Sequence, residues 1–334
     1  MSIPDLPGDW VISASVFNWT PEIIAAREEA PQIALEVVRS GLANRIEIEA
    51  GQLWRGFPGA ADQEVSSFRE SLDSESGGVS IVGLSIDEVD ESGRSRSEDE
   101  RLEFLLPQLD TAHRVGARGV RLPIGQAGTR LLHRMIPTLD SLDLVLYEEI
   151  QGQQTADHPV AGRAIDEIVA LDSPRVRLLV DISMLMPALP PSYLDALEAG
   201  GVPASLLTAL GTDWRAPETL SEVLDLLRSG GVPPRVHTLY MDMLVRFGRS
   251  RAEDLRALLP WVGAIHLKFW DLDDEDGRIT RPITELATEL ARAGFVGTLC
   301  SEWGGHEWLD RPASDMTRAH LDIARRALRA GIAQ

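Results

Sequence analysis

The chain has 334 residues, of which 44% are hydrophobic and 25% charged, the make-up of a globular protein with a large core. Its 32 basic and 52 acidic residues leave a formal charge of −20, which repels nucleic acid and anionic lipid and argues against a polyanionic substrate. A single cysteine, Cys300, rules out an internal disulfide, and no apolar run approaches the roughly 18 residues of a membrane span.

The opening MSIPDLPGDW has neither the basic nor the apolar region of a secretory signal, so a cytoplasmic location is expected. Asn18-Trp19-Thr20 has the form of a glycosylation sequon, which chance explains in such a chain. Short apolar runs with period-two alternation predict eight strands: 10–17, 45–50, 79–87, 119–124, 144–151, 176–183, 264–270 and 298–303. Amphipathic helical segments follow most of them, as at 21–41, 97–116 and 283–294, each closed by a glycine: Gly41, Gly116 and Gly294. Eight strand–helix units, with no GxGxxG after the first strand, predict a closed (β/α)8 TIM barrel rather than an open doubly wound sheet. One barrel domain over 1–334 is expected. Its longest connection, 186–262, lies between strands six and seven. It carries helical patterns at 191–201 and 219–231 and an apolar stretch, VHTLYMDML, at 236–244. In a barrel such an excursion sits on the active face. Residues 74–78 and 271–277 read as loops.

Strand parity sorts the side chains, because alternate residues face the barrel interior and the helical layer. The purely apolar parity belongs to the helical side. That leaves Arg45, Glu47 and Glu49 inside from the second strand and Arg121 from the fourth. Tyr147, Glu149 and Gln151 follow from the fifth strand, and Asp181 from the sixth. The seventh gives His266, Lys268 and Trp270, and the eighth Cys300 and Glu302. Glu148 faces outward, to solvent or a loop partner. Glu149, Asp181, His266 and Glu302 thus stand on strands five to eight near their C-terminal ends, where barrels carry their chemistry. Three carboxylates converging on one cavity repel one another and lose hydration. A divalent cation resolves this, and three carboxylate oxygens with one imidazole suit Mn²⁺, Mg²⁺, Co²⁺ or Zn²⁺. Any one of the four, read singly, is more often a salt-bridge partner, with Arg45 and Arg121 available. All four on consecutive strands favour the ligand reading.

The order Glu, Asp, His, Glu resembles the xylose-isomerase-like barrels, the sugar phosphate isomerase/epimerase superfamily. EIQGQ at 149–153 is similar to their Glu-x-His-Gly run, with Gln151 in place of histidine. DISM at 181–184 is similar to their Asp-x-x-His run, with Met184 at the histidine position, which removes a possible extra ligand. Within the superfamily, YEEIQG, HLKFWD and SEWGGH most resemble the α subunits of bacterial C-glycoside deglycosidases. That resemblance implies 3-oxo-C-glycoside substrates, Mn²⁺ or a similar ion, and a small β subunit as partner in a heteromeric complex.

Of 32 basic residues only Lys268 is lysine. It lies two residues from His266 on the same face, and an interior ammonium beside a cation is expected to have a lowered pKa and serve as a base. Charge balance with Glu302 explains it equally well. Glu149 and Glu302 are further candidates for catalysis, and His306 and His237 could assist. Trp19, Trp54, Trp270 and Trp303 lie at the C-terminal ends of four strands, where aromatic faces could stack on sugar or aglycone; singly each is more often packing. Trp54, Arg121, Gln151, Trp270, Trp303 and His306 are the expected substrate contacts. Three functions follow: a metal-dependent carbon–carbon lyase on oxidised C-glycosides, a metal-dependent sugar isomerase or epimerase working through an enediolate, or a sugar-binding barrel without catalysis.

Overall fold

The computed structural model describes residues 5–90 and 92–334, so the first four residues of the opening decapeptide lie outside the described residues. Eight parallel strands close in chain order: β1 (Trp10–Ser15), β2 (Arg45–Glu49), β3 (Gly78–Gly83), β4 (Gly119–Pro123), β5 (Val145–Ile150), β6 (Val176–Asp181), β7 (Val262–Phe269) and β8 (Gly297–Trp303). This is the (β/α)8 barrel expected, with β1 pairing β8 from Trp10↔Gly297 to Ala14↔Ser301. The third strand stops at Gly83, short of the predicted 87: Leu84 still donates its N–H to the Arg121 carbonyl, but the Gln108 side chain takes both backbone groups of Ser85 in place of a neighbouring strand.

The helical layer is built as the sequence signals dictate. Ser97 caps helix Glu98–Arg114 by accepting from the Glu100 N–H, while Glu100 accepts back from the Ser97 N–H. The segment after β1 is two helices, not one. Ala26 adopts a left-handed conformation that ends Thr20–Ala25, and Pro31 sits in the first turn of the second helix, Ala30–Arg39.

Between β6 and β7, residues 182–261 form a helical excursion with an apolar cluster of its own. Tyr193, Leu197, Leu210, Trp214, Tyr240 and Phe247 are among its buried members, and Trp270 from the barrel rim joins them. VHTLYMDML, left without an element by the sequence, mostly lies in helix His237–Arg246, whose Tyr240 and Met243 face this cluster. Among the described residues no helix is long and apolar enough to cross a membrane.

The barrel interior has two layers. Ile81, Leu179 and Ala264 form the lower one with the Tyr147 ring. Gly119 and Gly263 make room for that ring: a Cβ on Gly263 would stand 2.8 Å from it, and one on Gly119 would collide with it. Two residues further along the same strands, the interior becomes ionic.

Candidate active site

Parity places the upper layer. Glu149 follows Tyr147 on β5, Asp181 follows Leu179 on β6, and His266 and Lys268 follow Ala264 on β7. Register then aligns them, with Asp181 opposite His266 and Lys268 opposite Glu302. Ligand atoms of Glu149, Asp181, His266 and Glu302 all lie within 4.8 Å of one another, and all four residues are buried. His266 Nδ1 is 3.0 Å from Glu149 Oε1 and 2.6 Å from Glu302 Oε2, the latter out of line for a hydrogen bond.

Two basic groups hold the surrounding carboxylates. Arg121 donates to Glu47 at 2.9 Å, to Glu149 at 2.7 Å, and to Glu49. A single guanidinium therefore binds three carboxylates, so Arg121 organises the site's charge instead of standing free for substrate. Gly83 on β3 makes the space that Glu49 occupies. Arg45, placed inside by parity, lies at the opposite end of the barrel and donates to the carbonyls of Asn44 and Ser76. Glu148 is buried, not solvated; it takes the loop-partner alternative, accepting from the Gly125 N–H at 2.9 Å, and burial pushes its pKa up to about 7.

Lys268 Nζ donates to Glu302 Oε1 at 2.8 Å. Burial disfavours its charge, but Glu302 and Asp181 outweigh burial and hold the ammonium above its ordinary range. The lowering expected of a lysine beside a bound cation would act against these carboxylates. Its ammonium also lies 5.0 Å from the centroid of the Phe17 ring, a neighbour that sequence reading passed over although the first predicted strand ran to it.

The donor set fits a dication. Five carboxylates (Glu47, Glu49, Glu149, Asp181 and Glu302) face three basic groups (Arg121, His266 and Lys268). Asp181 Oδ1 accepts from the Ser183 N–H at 2.7 Å, while its Oδ2 is buried with no hydrogen-bond partner among the described residues; Glu302 Oε2 is likewise unpartnered. Unpartnered buried oxygens are costly, and a cation offsets that cost. Burial raises Asp181 to about 7, with the neighbouring Glu302 and Glu149 charges adding to the rise and Lys268 opposing it. Glu149 and Glu302 are pulled below the usual carboxylate range: burial opposes ionisation, but Arg121 and His266 outweigh it for Glu149, and His266 and Lys268 for Glu302.

The aromatic residues are placed differently from the sequence expectation. Trp54 turns into the helical layer and meets Phe68 edge to face. Trp303 is a buried latch whose indole N–H donates to the Trp270 carbonyl at 2.8 Å. Trp270 packs edge to face on Phe247 in the cluster of the excursion. Trp19 is also buried in the core. His306 stands beside Phe17, with ring centroids 4.9 Å apart, and borders a groove of about 780 Å³ between the segments after β1 and β8. Gln151 is exposed just past β5, and His237 is exposed at the start of its helix. Asn18 is buried and is not a glycosylation site. Its side chain accepts from the Trp303 N–H at 2.7 Å and donates to the Ser301 carbonyl at 3.3 Å, so it brackets Glu302 from both sides.

No family model matches the chain. Curated relatives do, among them two deglycosidase alpha subunits. A 3'-dehydrocarminate deglycosidase alpha subunit from Microbacterium sp. is 28% identical, covering 89% of this chain and 89% of its own length. A C-glycoside deglycosidase alpha subunit from Arthrobacter globiformis is 26% identical, covering 95% of this chain and 92% of its own. The resemblance carried by the short motifs therefore extends over nearly the whole chain. Among solved structures, a 3-keto-D-glucoside 4-epimerase from E. coli superposes with a TM-score of 0.56 at 12% identity, over 95% of this chain and 99% of its own, which shows a shared fold.

Proposed function

We propose that this chain is the α subunit of a metal-dependent C-glycoside deglycosidase, a carbon–carbon lyase acting on 3-oxo-C-glycosides together with a small β subunit. The observation that carries the reading is the buried cluster of Glu149, Asp181, His266 and Glu302, in which Asp181 Oδ2 and Glu302 Oε2 make no hydrogen bond among the described residues. The relatives named deglycosidase alpha subunits supply the substrate class and the partner; one is named for 3'-dehydrocarminate. The whole chain, barrel and excursion, acts as one domain.

Glu149, Asp181, His266 and Glu302 would hold one divalent ion, Mn²⁺ first and Mg²⁺, Co²⁺ or Zn²⁺ as alternatives, which supplies electrophilic polarisation of a sugar keto oxygen. The scissile bond joins two carbons, so protonation of a glycosidic oxygen has no place here. A keto group at C3 instead acidifies the hydrogen at C2. Glu149 or Glu302 takes that proton, and the C2–H electron pair moves toward the C3 oxygen to give an enolate. Collapse of the enolate restores the C3 carbonyl, forms the C1–C2 double bond and breaks the bond from C1 to the aglycone carbon. The released pair on the aglycone carbon takes up a proton. Lys268 donates to Glu302 at 2.8 Å and relays the proton by way of that carboxylate.

A second reading, sugar epimerisation, uses the same proton abstraction and is favoured by the fold shared with the 3-keto-D-glucoside 4-epimerase. Incubation of the purified chain with a 3-oxo-C-glucoside, with and without the β subunit, separates the two by chromatography. Released aglycone supports the lyase; an epimerised, intact C-glycoside supports the alternative. Activity should vanish on chelation and return with Mn²⁺; full activity after exhaustive chelation contradicts both readings.

A further inference from the structure

Glu47 has no task in the scheme above, although its carboxylate is completely buried on β2. Both of its oxygens lie 3.1 Å from His266 Nε2. Its position is built, not incidental. Arg121 Nε donates to its Oε1 at 2.9 Å. The pairing of β2 with β3 shifts register between Ile46 and Glu47, where β3 carries one extra residue, Ser80. The Ser80 hydroxyl donates to the Ile46 carbonyl at 3.0 Å and pins the irregularity. Such bulges re-aim side chains beside functional sites.

The two nitrogens of His266 therefore face two different donor sets. Nδ1 faces Glu149 and Glu302, which cluster with Asp181; Nε2 faces Glu47, which clusters with Cys300. The sets differ in how well the protein already satisfies them. On the Nδ1 side Asp181 Oδ2 has no hydrogen-bond partner among the described residues, and Glu302 Oε2 has only the out-of-line Nδ1 at 2.6 Å. On the Nε2 side the Glu47 carboxylate has Arg121 and His266 as partners. The demand for a cation thus falls on Nδ1. An imidazole that ligates through Nδ1 carries its proton on Nε2, and a buried N–H needs an acceptor. Glu47 is that acceptor.

We propose that Glu47 is a positioning residue that holds the Nε2–H form of His266 and fixes its ring, so that Nδ1 presents a lone pair to the ion. The proposal rests on the metal reading above. It makes β2 a contributor to a centre whose ligands all come from β5 to β8, and leaves Cys300, buried opposite His266 on β8, without a ligand role. Outer carboxylates of this kind typically change metal affinity by ten- to a hundredfold.

The test uses the full-length chain. Mn²⁺ affinity is measured by titration calorimetry for the wild type, Glu47→Gln and Glu49→Gln, with near-ultraviolet circular dichroism to verify folding. Glu47→Gln should bind Mn²⁺ about ten- to a hundredfold more weakly. Glu49→Gln, which also removes a carboxylate bound to Arg121 but none that touches His266, should lose much less. A second measurement needs no variant: the Co²⁺-loaded wild type should show one strongly shifted, slowly exchanging imidazole N–H resonance that disappears in D₂O. Affinity unchanged in Glu47→Gln, or equal losses in both variants, overturns the proposal, as does the absence of that resonance. A sulfur-to-Co²⁺ charge-transfer band lost in Cys300→Ala also overturns it, because the ion would then sit on the Nε2 side. A wild type that binds no Mn²⁺ sinks the metal reading itself; a wild type that binds tightly alongside an unaffected Glu47→Gln sinks only the role of Glu47.

Discussion

The two layers of the barrel interior lie two residues apart on the same strands and are chemically opposite. Tyr147, Leu179 and Ala264 plug the lower half; Glu149, Asp181 and His266 directly follow them. The lower layer contributes stability, since its rings and aliphatic groups fill space between Gly119 and Gly263. The upper layer costs stability, since it crowds carboxylates in a buried site and leaves two oxygens without a hydrogen bond among the described residues. A one-residue slip in any strand would exchange interior and exterior faces, so correct parity is the condition for both layers.

Substitutions can break this contrast. Asp181→Asn should abolish turnover, exceeding the ten- to hundredfold loss typical of outer-shell partners, while its urea midpoint in chelator stays equal or rises because a buried, poorly partnered charge is gone. A large stability loss in Asp181→Asn would contradict the contrast. Tyr147→Ala should do the reverse: about 3–5 kcal/mol lost in denaturant unfolding, with Mn²⁺ affinity kept by the molecules that remain folded. Gly305→Ala sharpens the boundary between barrel and excursion. Its Cβ would collide with the Trp270 carbonyl oxygen that receives the Trp303 indole N–H, at a cost of about 1–3 kcal/mol by thermal unfolding.

An effect confined to acid pH concerns His320, behind β8. Its ring stacks on Phe269 and its Nδ1 lies 2.8 Å from Ser301 Oγ. Burial lowers its pKa to about 3, so it folds neutral. The unfolded chain binds this proton below about pH 6.5 and the folded chain does not. Stability is therefore full above pH 6.5 and falls as the pH drops toward 3. His320→Leu should flatten that acid limb by up to about 1.4 kcal/mol per pH unit in unfolding experiments at pH 4–6.5. An unchanged slope would remove His320 from the account.

The eight strands and their interior faces were legible because a barrel strand's alternation is written in its own residues. The four clustered donors followed from that parity and strand order alone. What was not legible depends on partners distant in sequence. Arg121 was visible as an interior residue, but its three carboxylate partners come from β2 and β5. Glu47 was placed inside, yet nothing local pairs it with His266, 219 residues away. The tryptophans at strand ends looked like a sugar-binding rim, whereas Trp54 and Trp303 serve packing, because position along a strand does not tell which layer a ring enters. Lys268 was singled out by composition, while the sense of its pKa shift required knowing that Glu302 and Asp181 surround it.

The central claim is that one dication sits among four side chains from four strands. Diffraction from crystals of the Mn²⁺-loaded protein, collected above the manganese edge, tests it most directly. The account predicts one anomalous peak, in contact with Glu149, Asp181, His266 Nδ1 and Glu302. A peak between Glu47, His266 Nε2 and Cys300, or none inside the barrel, would contradict it.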